Sequence, residues 1–302
     1  MEDSITAARV ANAILQDHSF SGHYVLVEGK KDVKLYRRFI NEETARIRIT
    51  SGKKQLKEAF DILSRNNYQN KIAIRDADFL RINNNPKFDP GYCEPIFATD
   101  SHDSEVMIVQ NGTLDDYFLL ISDSDKVLEF EKIQGKPILD LIFSLLYQLG
   151  CLRLANKRFQ MGLAFKPKKI GGNKLKIEKF ISEKTWQFLG DKQMVHIVCE
   201  YSKNRDREEE IPNEDFILQR LNEIVGEAHP ANEIINGHDV AEVLLMISKA
   251  GLKSNSKLLQ DSSCVEDLLT ACFDLLKFSK TGLHASIEKW QISNNVKVFR
   301  EI

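Results

Sequence analysis

Short apolar runs alternate along the first part of the chain with segments whose apolar residues recur at helical spacing. Ser4 to Gln16 has the helical pattern and predicts an opening amphipathic helix capped by Ser4. Tyr24 to Val27 is continuously apolar or aromatic and predicts a buried strand. Glu28 ends that strand, Gly29 is expected to turn the backbone, and Asp32 is expected to cap a helix from Val33 through Leu35, Tyr36 and Phe39. Arg46 to Thr50 alternates, with Ile47 and Ile49 on one face, and predicts a second strand. A turn at 51–54 leads into a helix, Lys54 to Arg65, with Leu56, Ala59, Phe60 and Leu63 on its apolar face. Lys71 to Arg75 predicts a third strand, followed at once by Asp76, Ala77 and Asp78. A polar loop, Asn83 to Tyr92, carries Pro86, Pro90 and Gly91. Pro95 to Thr99 predicts a fourth strand, and Asp100, His102, Asp103 and Glu105 come directly after it.

Such alternation predicts an α/β fold, a mostly parallel sheet flanked by helices. Beyond residue 120 the pattern changes. Thr113 to Glu131 is acidic and helical in part, and Pro137 to Leu154 reads as a buried helix. Met194 to Tyr201 reads as a strand. Phe216 to Val225, Val240 to Ala250 and Val265 to Phe278 have helical spacing, with Asp239 as the expected cap of the middle one. Residues 1–120 are therefore expected to form a core, and 121–302 a mainly helical portion with one or more added strands for substrate or partner binding.

Composition narrows the function classes. With 302 residues, 42% hydrophobic and 28% charged, the chain reads as an ordinary globular protein. A net charge of -2 argues against binding nucleic acid through bulk charge and leaves room for a local basic surface. That surface is expected between Arg153 and Lys179, where Arg153, Lys157, Arg158, Lys166, Lys168, Lys169, Lys174, Lys176 and Lys179 meet only Glu178. Phe159 and Phe165 interleave, so the stretch suits RNA phosphates and bases, or an acidic face of a partner protein. Lys203 to Glu210 is a mixed charge run, expected as an exposed loop. The five cysteines are scattered without CxxC spacing, which points to neither a zinc site nor a disulfide framework. No secretory leader or membrane span is expected, which makes a cytoplasmic location the default. No GxxxxGK[ST] motif occurs, so nucleotide hydrolysis is not expected of this chain.

The candidate chemistry lies in the acids. Glu28 with Asp32, Asp76 with Asp78, and Asp100 with Asp103 and Glu105 each follow a predicted strand of one sheet. In a parallel sheet those places share one edge, where ligands bind. Converging carboxylates repel unless a cation neutralises them, and hard oxygen ligands suit Mg²⁺ or Mn²⁺. His102 is a candidate for substrate contact, as is His238 at the start of the Val240 helix.

These residues resemble the Toprim/OLD nucleases. Glu28 matches the glutamate after that family's first strand, and Asp76 with Asp78 matches its Asp-x-Asp. Taken together, Val27 to Asp32, Arg75 to Asp78, Thr99 to Glu105 and Asn236 to Asp239 resemble, over roughly residues 20–250, the Toprim-like family of PARIS anti-phage effectors, the AriB family. The resemblance implies a defence effector held by an AAA/ABC-type, AriA-like ATPase and released on phage sensing. It also implies Mg²⁺-dependent cleavage of tRNA that halts translation, with a possible homodimer in the active state. Glu28, Asp32, Asp76 and Asp78 would be the catalytic, metal-binding set, with Asp100, Asp103 and Glu105 as further metal ligands. Lys30, Lys31, His102, Lys166, Lys168, Lys169 and His238 would contact substrate. A Toprim DNA nuclease or nickase, or a non-catalytic metal-binding subunit of an ATPase complex, are the alternatives. A topoisomerase is not expected, because no nucleophilic tyrosine in a separate domain is identified.

Overall fold

The structure, a computed structural model, describes residues 6–83, 94–167, 172–203 and 211–300. The expected cap Ser4, most of the loop ending at Tyr92, Lys168, Lys169 and the charge run 204–210 lie outside the described residues. The chain divides into two compact units, Met1–Thr113 with Leu269–Ile302, and Leu114–Leu268.

The first unit contains α1 (Ala7–Leu15), β1 (His23–Val27), α2 (Lys30–Tyr36), β2 (Ala45–Ile49), α3 (Lys53–Arg65), β3 (Lys71–Arg75), α4 (Leu80–Asn83), β4 (Ile96–Ala98) and α5 (Ser104–Ile108). The four strands form one sheet in the order β2-β1-β3-β4, and every neighbouring pair is parallel. Val25 is level with Ile47 on one side and Ile72 on the other, and Ile74 is level with Phe97. The expected α/β sheet is borne out.

Both faces of the sheet are covered, which explains why β1 and β3 read as unbroken apolar runs. On one face Tyr24, Leu26, Ala73 and Ile96 pack against Val10, Ala11 and Ile14 of α1 and Leu56, Ala59 and Leu63 of α3. Gly22, just before β1, runs so close to the Thr44 carbonyl that a Cβ there would come within 2.2 Å of its oxygen.

The second unit has α6 (Leu114–Ile121), α7 (Ser124–Gln134), α8 (Ile138–Phe159), a two-stranded antiparallel hairpin of β5 (Ile181–Ser182) and β6 (Gln187–Phe188), α9 (Asp191–Lys203), α10 (Glu214–Gly226), α11 (Ala231–Ile234) and α12 (Gly237–Met246). The next helix, α13 (Ser262–Cys272), begins in this unit and ends in the first, which α14 (Leu275–Phe278) and α15 (Gly282–Asn294) continue. The unit's central helix is α8, against which α10, α11 and α12 pack. This helix is long and apolar enough to cross a membrane, yet 61% of its most apolar window is buried inside the protein. A mainly helical C-terminal portion is thus present. Its boundary differs from the expected division at 120, because residues 269–300 return to the first unit.

One expected strand is a helix. Met194 to Tyr201 lies within α9, where Met194, Val195, Val198, Cys199 and Ser202 are buried. That spacing is one stripe of a helix. The alternation of Val195, Ile197, Cys199 and Tyr201 had the period of a strand, but Ile197 and Tyr201 fall beside the buried stripe.

Candidate functional site

Parallel pairing puts the residues after β1, β3 and β4 at one edge of the sheet. From β1 the chain moves outward to β2, then crosses to β3 on the other side. The gap beyond the carboxyl ends of β1 and β3 is therefore the topological switch point, the usual ligand crevice of an open α/β sheet. Glu28 and Asp76 are the first residues after those two strands. They are neighbours: the Asp76 amide donates to Glu28 Oε1 at 3.3 Å.

Asp32 comes from α2. Gly29, not Asp32, is the N-cap, and Asp32 reaches back one turn so that its Oδ2 accepts from the Gly29 amide at 2.8 Å. Gly29 is extended, at φ −149°, so the turn there does not use the left-handed region that favours glycine. Asp78 does use that region, at φ 48°, and its carboxylate is paired with Lys53 at the start of α3. Asp103 caps α5, its Oδ1 accepting from the Val106 amide at 3.0 Å. Glu105, in the first turn of α5, is 3.5 Å from Lys31 Nζ. Ser104 donates twice to Asp76 Oδ1, from its amide at 3.0 Å and its hydroxyl at 2.9 Å.

The electrostatics follow from crowding. Burial, then the Asp78 and Asp32 charges, push the Glu28 carboxyl from its ordinary 4.5 up to about 7. Burial pushes Asp32 to about 6, with Glu105 adding to the rise and the Gly29 amide opposing it. Asp76 is raised well above the carboxylate range, by burial first and then by Asp103, Glu105, Asp32 and Glu28. Six acids, Glu28, Asp32, Asp76, Asp78, Asp103 and Glu105, thus sense one another's charge.

One neutral polar group is set among them. Tyr36 lies four residues after Asp32 on the same face of α2 and is 1% exposed. Its hydroxyl is buried beside the Ser104 side chain and, among the described residues, meets no partner in full hydrogen-bond geometry. Burial, with the Asp32 and Asp76 charges behind it, raises the phenol well above its usual range, so the group stays protonated. Sequence reasoning placed Tyr36 among the apolar residues of α2. Its i+4 spacing from Asp32 was the available signal.

Other expected site residues are used differently. Asp100 turns to the Gly282 amide, which donates to its Oδ2 at 2.7 Å at the start of α15, and its charge also reaches Tyr36. His102 is 3% exposed, with its ring 4.7 Å from that of Phe79, and its carbonyl accepts from the Asp78 amide at 2.5 Å. It supports the Asp78 turn, and its ring is buried against Phe79. Arg75 directs Nε to the Asp76 carbonyl at 2.8 Å and lines a cavity of about 230 Å³ with Glu94, Phe97 and Ser286. Lys30 and Lys31 are exposed on the first turn of α2.

The remaining candidates belong to the second unit. His238 is on α12, with Nδ1 2.5 Å from Glu266 Oε1. Asn236, not Asp239, caps that helix, accepting from the His238 amide. Asp239 is buried and takes a bidentate pair from Arg153, at 2.8 Å and 2.7 Å. The Arg153 guanidinium also stacks over the Phe165 ring at 4.5 Å. Arg158 is paired with Glu227, and Lys174 with Glu242. The stretch 153–179 is therefore less free for RNA than its composition suggested. Lys166, Lys176 and Lys179 are exposed.

The donor set fits a hard divalent cation. It offers only oxygen, its charges repel where they stand, and a buried hydroxyl with no described partner in full hydrogen-bond geometry sits among them. Glu28, Asp32, Asp76 and Asp78 could hold such an ion if their oxygens drew together around it, with Asp103 and Glu105 beside them. Comparison of the chain with protein-family models and with curated proteins found no match.

Proposed function

We propose that the chain is a Mg²⁺- or Mn²⁺-dependent endonuclease of Toprim type that hydrolyses RNA phosphodiester bonds. The observation that carries this reading is the meeting of Glu28 and Asp76 at the sheet's switch point, inside a ring of further carboxylates. A bound divalent ion would supply an acidified water and stabilise charge on the leaving oxygen. Glu28, at the end of β1 and beside Asp76, is the group placed to take the proton of that water. Asp32, Asp76 and Asp78 would hold the ion, and Lys53, paired with Asp78 in its absence, would have to release that carboxylate. Lys30 and Lys31, exposed beside the site, are the cations for substrate phosphate.

The finer reading rests on the order of the motifs from Val27 to Asp239. On that basis the protein is a cytoplasmic anti-phage effector that cleaves tRNA, halts translation, is held by an AAA/ABC-type ATPase and acts as a homodimer. The test is cleavage of tRNA and of supercoiled plasmid by the purified chain, with Mn²⁺ and with chelator, in wild type and Glu28→Gln. The expected result is metal-dependent tRNA cleavage that falls ~10²-fold or more in the variant. Nicking of plasmid with intact tRNA would move the assignment to a DNA nuclease. Metal binding without cleavage of either would make the chain a non-catalytic subunit.

A further inference from the structure

The Tyr36 hydroxyl is the one buried polar group of the acid site whose hydrogen bonding is incomplete in the protein alone. Ser104 already spends both of its donors on Asp76 Oδ1. Asp32 takes the Gly29 amide. Tyr36, from the last turn of α2, holds an O–H beside these groups and against the Ser104 side chain, sealed from water and, among the described residues, with no partner in full hydrogen-bond geometry. A buried donor left unpaired is costly, and native proteins keep few of them. Its ring is fixed by packing, with the Phe278 ring 6.1 Å away at 65°, so the hydroxyl is not free to swing out to solvent.

We propose that Tyr36 is a positioning residue of this site, whose hydroxyl donates to the Asp32 or Asp76 carboxylate once a divalent cation has gathered the acids. The inference rests on the metal-dependent reading above. The physical reason is that a cation draws the carboxylates inward and fixes their oxygens, and a ligating carboxylate needs a donor on its outer side to hold its orientation. Such outer partners are worth roughly 10–100-fold in metal affinity. A phenol suits the task because it is a donor that carries no positive charge, so it does not compete with the ion as Lys53 does at Asp78.

The test is Tyr36→Phe, which removes one oxygen and keeps the ring. Two quantities are measured: Mn²⁺ affinity by calorimetry, and thermal midpoint with chelator and with saturating Mn²⁺. Weaker Mn²⁺ binding by ~10-fold or more, with the metal-free midpoint unchanged or raised, is the expected result. A purely structural tyrosine would do the opposite, lowering the metal-free midpoint and leaving the affinity of the folded protein alone. Equal Mn²⁺ affinity in wild type and variant overturns the proposal while the metal reading stands. Absence of Mn²⁺ binding to the wild type removes both, and Asp76→Asn run beside it separates the cases, since it loses binding only if the acid set is the site.

Discussion

Glu28 shows what the acid ring costs when no cation is present. A carboxyl raised in the folded state favours folding while it is protonated, below its unfolded value of 4.5, and that contribution is lost as pH rises through about 7. Asp32 acts in the same direction through about 6. Glu28→Gln removes the first of these burdens. In chelator, the variant should therefore gain on the wild type as pH rises from 5 to 8, by about 3 kcal/mol at the upper end. Saturating Mn²⁺ should reverse the ranking. Paired melts across that range decide it, and a difference that shrinks with pH would rule the repulsion out. The main acids were legible in the sequence because a parallel strand delivers whatever follows it to one edge, so adjacency in sequence became adjacency in space. Tyr36 was not legible. An aromatic at helical spacing from Leu35 and Phe39 looks like core, and its ring is core; only the hydroxyl serves the site.

Among the elements, α8 and α12 show how a cationic stretch can be structural. Arg153 and Asp239 satisfy each other in the interior of the second unit. Removing one partner leaves an unpaired buried charge, so Asp239→Ala should cost about 3–5 kcal/mol in denaturant unfolding. Arg153→Met with Asp239→Leu should recover much of that loss, because the desolvation of both charges disappears together. A single variant as stable as wild type would contradict the pairing. The RNA hypothesis for this stretch now rests on the lysines around 166–179. Replacing Lys166, Lys168 and Lys169 by Gln should lower the slope of log affinity for RNA against log salt by about 2, at ~0.7 per phosphate contact. An unchanged slope would assign them elsewhere. Arg153 could not be told from these lysines by sequence, since its partner lies on another helix. The misread α9 has a related cause: four alternating residues fit either period, and only burial of the i and i+4 neighbours decides.

For the molecule as a whole, the division of the chain matters most. Residues 269–300 complete the first unit. Phe278 stacks on Phe39 at 4.5 Å, Arg38 donates to the Phe273 carbonyl at 3.1 Å, and Asn41 donates to the Val298 carbonyl at 2.8 Å. Val298, Phe299 and Phe278 are buried there. A chain stopped after residue 268 should leave Phe39 and Ile40 uncovered, and the first unit should appear in the insoluble fraction or fail to melt cooperatively. Soluble, cooperative behaviour would show that the sheet stands without that segment. Sequence placed the division near 120 because the late helices carry ordinary amphipathic patterns, which say that a face is buried but not against what. The same discontinuity sets a clock on biosynthesis. Domains made early in a chain generally fold as they leave the ribosome, but this sheet must wait, with the whole second unit emerging in between, for the segment that closes over Phe39. An enzyme proposed to stop translation would thus be unable to finish its own active unit until the ribosome making it has also made the second unit.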